Sequence, residues 1–129
     1  MGTGASVSSE KAKRYCLIGA GACGLPIVKN FAERGIPFDC FEMEDDVGGI
    51  WNPKSDRHVY ETICLNTSTS LTKYTDYNMP KGSPQFLNKK QAIDYLRSYA
   101  RHFNLYDHIT FKTKVEEGEK HVDKWLVTV

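Results

Sequence analysis

The residues best suited to chemistry stand together near the start of the chain. Gly19-Ala20-Gly21-Ala22-Cys23-Gly24 has the spacing G-x-G-x-x-G. Glycine at the first position permits a tight turn, at the second it lets backbone approach a pyrophosphate, and at the third it lets a helix pack closely on a strand. Phosphates at such a turn face free N–H groups at a helix N-terminus, where the helix dipole favours negative charge. The spacing alone is a weak signal, since three glycines can serve a plain turn. Here its context is complete. Tyr15 to Ile18 (YCLI) reads as a buried parallel strand ahead of the turn, a helix follows, and Glu42 lies eighteen residues after Gly24, at the end of a second strand. A carboxylate there can accept hydrogen bonds from a ribose diol, and it would repel a 2′-phosphate. The turn therefore suits FAD or NAD rather than NADP.

A second glycine pair, Gly48-Gly49, follows Glu42 closely, with Ile50 and Trp51 next. A plain NAD-binding dehydrogenase has no obvious need for it. FAD is a longer dinucleotide that runs on over the loops beyond the first turn. Adjacent glycines let backbone approach it, and the tryptophan can pack against it. The plainer alternative is a simple turn with Trp51 as a core anchor.

Several elements must position these residues. In LPIVKNFAERG, Ile27, Val28 and Phe31 recur at helical spacing, and Gly35 suits the position just past a helix. Phe38 to Glu42 (FDCFE) is the second strand, which completes a βαβ unit. Met43 to Pro84 is mostly irregular, a length uncommon in a compact domain unless functional. Asn88 to Phe103 is the clearest helix, with Asn88 and Gln91 forming a capping box and Ala92, Ile93, Leu96, Tyr99, Ala100 and Phe103 on one apolar face. Ile109 to Val115 alternates as a strand does, and Trp125 to Val129 reads as a further strand. The expectation is an α/β, Rossmann-like βαβ unit with a parallel sheet, incomplete at the C-terminus. Residues 1–13 are expected to form a flexible tail, and residues 14–129 the N-terminal part of an FAD-binding domain.

Composition narrows the partners. A formal net charge of +1 gives no global case for nucleic acid or an anionic membrane. No apolar run approaches the ~20 residues of a membrane helix, so no membrane contact is expected in this segment. The start fits the acylation pattern M-G-x-x-x-[ST] through Gly2 and Ser6, but so loose a pattern also describes a solvated tail. Cys16, Cys23, Cys40 and Cys64 form no C-x-x-C pair, and no metal site is expected. Cys16 and Cys40 lie in strand-like runs as small hydrophobes, and all four read as reduced thiols in a cytosolic setting. His58, His102, His108 and His121 read as solvated residues rather than ligands or bases.

The run from Cys16 to Trp51 resembles the N-terminus of the flavin-containing monooxygenases, and the resemblance continues through VYETICLNTS and the helix beyond it to Val129. It implies that Gly19 to Cys23 hold the FAD pyrophosphate, that Glu42 binds the adenosine ribose, and that Ile50 and Trp51 line the cofactor. It also implies that Asn66 lies at the flavin near the nicotinamide of NADP, with Leu65 and Thr67 beside it, which makes Asn66 the one candidate catalytic residue. The activity implied for the longer parent is NADPH-dependent oxygenation of soft nitrogen or sulfur nucleophiles by O2 through a flavin C4a-hydroperoxide. The implied setting is cytoplasmic, either free or on the cytosolic face of the endoplasmic-reticulum membrane. Where family members often carry lysine and glutamate soon after the asparagine, Thr69 and Ser70 stand here. The second G-x-G-x-x-G, for NADP, is absent from these residues, so the chain alone is expected to be inactive. Two rivals remain open. One is a Baeyer–Villiger monooxygenase or other FAD-dependent oxidoreductase. The other is an inactive truncated fragment that binds nucleotide or nothing.

Overall fold

The computed structural model describes residues 13–55 and 60–129. Almost all of the expected tail, with Gly2 and Ser6, lies outside the described residues, and so does His58. Strand β1 (Tyr15–Ile18) leads through the glycine turn into helix α1 (Gly24–Glu33), and β2 (Phe38–Phe41) follows. β1 and β2 pair in parallel, Tyr15 opposite Phe38 and Ile18 opposite Phe41. After a long irregular stretch come the short helix α2 (Thr69–Thr72), helix α3 (Lys89–His102) and the two-residue strand β3 (Ile109–Thr110). β3 pairs in parallel with the far side of β2, so the sheet has the order β1-β2-β3. The fold is α/β with a parallel sheet built on a βαβ unit.

The two longer helices are bounded by the residues expected to bound them. Gly35 adopts φ +63, the left-handed conformation that glycine enters without strain, and its N–H donates to the carbonyl of Ala32. At α3, the Asn88 side chain accepts from the Gln91 N–H at 2.9 Å while the Gln91 side chain accepts from the Asn88 N–H at 3.0 Å. This reciprocal box satisfies two of the otherwise unpaired donors of the first turn and contributes about 1 kcal/mol. The apolar face of α3 packs with Leu25 and Val28 of α1, Cys40 of β2, Val47 and Leu105 in one core.

Several expectations are corrected. β1 is not buried: Ile18 is 68% and Tyr15 46% exposed, and Cys16 is exposed too. A parallel strand is buried by neighbours on both edges and layers on both faces. β1 is an edge strand, whereas Cys40 on the central β2 is buried. Ile27 lies outside the apolar stripe of α1 and is 41% exposed, and Leu25 takes the buried place. The strand expected over Ile109 to Val115 stops at Thr110. Lys112 has φ +52, and its N–H turns to donate to the Glu44 carbonyl, which ends the ladder. The last strand, β5 (Lys124–Thr128), pairs antiparallel with β4 (Glu117–His121) in a separate hairpin. No helix among the described residues is long and apolar enough to cross a membrane.

Candidate dinucleotide-binding site

The parallel pairing brings the glycine turn and Glu42 to the same, C-terminal, end of β1 and β2. In open α/β sheets this is the end where ligands bind. The turn is tied to β2 by the Gly19 N–H, which donates to the Phe41 carbonyl at 2.8 Å. Gly19 has φ +94, which only glycine takes without strain. Gly24 lets α1 start hard against the turn, because a Cβ there would stand 2.1 Å from the Gly19 carbonyl oxygen.

Glu42 is a buried carboxylate, 4% exposed. Its Oε2 accepts from the Ala20 N–H at 2.7 Å and its Oε1 from the Glu44 N–H at 2.9 Å. Each oxygen keeps a further lone pair, so the group can still accept from a diol. It also fixes the turn itself through Ala20.

The second glycine pair packs directly on the first turn. The Gly48 N–H donates to the Ala20 carbonyl at 3.0 Å, and a Cβ on Gly49 would lie 3.2 Å from the Gly21 Cα. Gly48 and Gly49 have φ of +117 and +55, and a Cβ on Gly48 would strike the Ile93 Cδ1 at 2.1 Å. A 3-10 turn, Gly49–Trp51, carries the chain onward with Ile50 exposed and Trp51 packed against the core.

The start of α1 is open to an anion. Its N-cap residue, Cys23, makes no side-chain cap hydrogen bond, and the first turn holds no acidic side chain. Among the described residues nothing accepts from the N–H of Ala22 or Cys23, and both residues are exposed. An uncapped helix start with a glycine approach is the donor set that a phosphate requires.

Leu65 reaches this region. With Ala22, Trp51, Thr72, Tyr74 and Leu87 it helps line a small apolar cavity of about 70 Å³. Its N–H is held by the Leu87 carbonyl at 2.8 Å. Asn66 and Thr67 are exposed, and the Thr67 Oγ1 lies 2.7 Å from the Thr72 Oγ1. Among the described residues no hydrogen bond ties Asn66 to the glycine turn. A larger groove of about 480 Å³, lined by Arg14, Phe31, Phe38, Asp39 and His108 among others, lies at the opposite end of β2. The Arg14 guanidinium there grips Asp39 with two hydrogen bonds of 2.6 Å and holds its carboxyl below the usual range. That groove has no glycine turn, so size alone does not mark the site.

Two further residues shape the site without any signal in the sequence. Asp46 accepts from the Val47 N–H and the Tyr106 hydroxyl on Oδ1, and from Arg97 Nε at 2.8 Å on Oδ2. It thereby clamps the approach to Gly48 onto α3. Asn52, 2% exposed, closes the same loop by accepting from the Lys54 N–H. Acidic and amide residues are common in turns, and nothing in DDVGG distinguishes Asp46 from Asp45. Among the described residues no group of His, Cys, Asp or Glu could hold a metal ion.

A parallel βαβ unit whose glycine turn opens a helix, with a buried acid after the second strand, is the arrangement of the Rossmann-like class of α/β folds. Comparison with known proteins narrows that class. The flavin-binding monooxygenase-like family model matches residues 12–127, and the chain belongs to that family. It is 39% identical over 116 residues to flavin-containing monooxygenase 5 of Rattus norvegicus, covering 86% of this chain and 22% of that protein. It is 34% identical over 117 residues to dimethylaniline monooxygenase [N-oxide-forming] 2 of Cavia porcellus, covering 87% of this chain and 22% of that one. The chain thus spans about a fifth of the length of these relatives. Among solved structures, S-allyl-L-cysteine S-oxygenase from Allium sativum superposes with a TM-score of 0.76 at 23% identity, over 88% of this chain and 31% of that one. An oxidized steroid monooxygenase bound to NADP superposes at 0.75 and 22%, over 89% and 23%. At these identities the likeness concerns the fold.

Proposed function

We propose that this chain is the FAD-binding segment of an NADPH-dependent flavin monooxygenase that oxygenates soft nitrogen or sulfur nucleophiles with O2. The observation that carries the proposal is the convergence of Gly21, Gly49 and the Glu42 carboxylate around one uncapped helix start. In this arrangement the N–H groups of Ala22 and Cys23 hold the pyrophosphate, and Glu42 accepts from the adenosine ribose. Gly48, Gly49, Ile50 and Trp51 pass along the cofactor, and Leu65, Asn66 and Thr67 border its reactive end. Asn66, exposed and polar, is suited by its type to hydrogen-bond the flavin or the nicotinamide.

Bound flavin supplies the redox and oxygen chemistry of such an enzyme. The residues of this chain bind and orient it, and the apolar wall of Trp51, Leu65 and Leu87 keeps water from one side. The relatives named as flavin-containing and N-oxide-forming monooxygenases, at 39% and 34% identity, favour this proposal over a Baeyer–Villiger enzyme. The 129 residues contain one dinucleotide turn, and its acid is unsuited to a 2′-phosphate. The test is twofold. Titration of the purified chain with FAD should quench flavin fluorescence, while NADPH with added FAD should show no steady oxidation. An unchanged flavin signal would remove the cofactor assignment. Steady NADPH consumption would show that the chain alone carries more of the enzyme than proposed.

A further inference from the structure

We propose that Tyr74 is a positioning residue for the pyrophosphate site, holding the Ala22–Cys23 peptide so that the Cys23 N–H faces the ligand. The inference rests on the FAD assignment and deepens it. The Tyr74 hydroxyl donates to the Ala22 carbonyl at 2.5 Å across a separation of 52 residues. Ala22 is one of the two variable residues of the glycine motif that directly precede α1. A trans peptide is planar, so its C=O and N–H point in opposite directions. The described residues hold no cis peptide. A hydroxyl that fixes the Ala22 carbonyl toward the aromatic cluster therefore fixes the Cys23 N–H away from it. That N–H has no acceptor among the described residues.

The tyrosine is itself held firmly. Its N–H donates to the Tyr95 hydroxyl oxygen at 2.9 Å, and the Tyr95 hydroxyl donates in turn to the Tyr77 carbonyl at 2.8 Å. Its ring stacks on Tyr95 at 5.7 Å between centroids and packs on Tyr99 at 4.3 Å. Burial pushes the phenol well above its ordinary range, so the hydroxyl stays a donor at any working pH. Through Tyr95 and Tyr99, helix α3 thus reaches the glycine turn by way of this side chain as well as by the Arg97–Asp46 clamp.

The experiment compares the full 129-residue chain with Tyr74→Phe, which keeps the ring and removes the hydroxyl, and with Tyr74→Ala, which removes both. FAD affinity is read by flavin fluorescence, folding by thermal midpoint, and the peptide by the Cys23 amide resonance without cofactor. Tyr74→Phe is expected to bind FAD about tenfold more weakly, the worth of one hydrogen bond. Its midpoint should stay near the parent's while the Cys23 amide resonance shifts. Tyr74→Ala should lower the midpoint as well. If Tyr74→Phe binds FAD like the parent, or weakens binding with the Cys23 amide unmoved, the proposal is overturned and the FAD assignment stands. If the parent itself leaves flavin fluorescence unchanged, the FAD assignment falls and takes this proposal with it.

Discussion

Gly24 meets the carbonyl of Gly19 so closely that a methyl group on Gly24 would stand 2.1 Å from that oxygen. The obstacle is backbone, which cannot swing aside as a side chain can. Gly24→Ala should therefore force the start of α1 away from β1, costing about 3 kcal/mol, the upper end of ordinary overpacking. A Cβ on Gly21 would instead lie at an ordinary 3.5 Å from the Gly49 Cα. Gly21→Ala should keep the urea midpoint near the parent's and yet weaken FAD binding. Urea midpoints and FAD titrations of the two variants test the contrast. A Gly21→Ala chain that binds FAD normally would argue that the cofactor does not approach this backbone.

Glu42 acts on the turn before any ligand arrives, since its two oxygens hold the Ala20 and Glu44 N–H groups. Glu42→Ala should then lower stability by about 1–3 kcal/mol through the buried donor left at Ala20. It should also weaken FAD binding by about 1.5–3 kcal/mol, the range for a hydrogen bond to a charged group. Chemical denaturation and FAD titration measured on the same variant separate the two effects. Unchanged values in both would make Glu42 a bystander.

Two tyrosines of α3 should respond differently to loss of their hydroxyls. The Tyr95 hydroxyl accepts from the Tyr74 N–H and donates to the Tyr77 carbonyl. The Tyr99 hydroxyl is buried without a hydrogen-bond partner among the described residues. Tyr95→Phe should cost about 1–3 kcal/mol, whereas Tyr99→Phe should be neutral or slightly stabilising. Urea midpoints of the two variants check this, and an equal loss in both would refute the distinction.

Stability should fall at alkaline pH in two stages. Burial first, and then the charge of Glu42, push the Cys40 thiol up to about 11. The folded chain keeps this proton where the unfolded chain releases it, from about pH 8.5 upward. The contribution is therefore complete below that pH and is lost as pH rises through the folded value. Burial pushes Tyr99 and Tyr106 to about 12, so their contributions fade later, above the ordinary tyrosine value. Cys40→Ala should flatten the earlier part of the decline in midpoint against pH and leave the later part. An unaltered profile would assign the early loss elsewhere.

The frame of the site is legible in the sequence, and its supports are not. The glycine turn, the parallel pairing and the Asn88–Gln91 box depend on local residue types, and local signals survive in one dimension. Asp46 and Tyr74 act through partners 51 and 52 residues away, Arg97 and Ala22, and no spacing rule announces such pairs. β4 (EGEKH) has no apolar alternation to reveal it, and every residue of it is exposed. Asn66 enters by resemblance alone, because one exposed asparagine in a loop belongs to no periodic pattern.

The strands β4 and β5 pair with one another, and Trp125 and Leu126 remain 64% and 56% exposed. A two-stranded ribbon with little apolar burial is marginal in water. Its amides should therefore exchange through a small local opening, while those of α3 wait for the core to come apart. The chain would then melt as two units, with the ribbon released first and the glycine turn still in place.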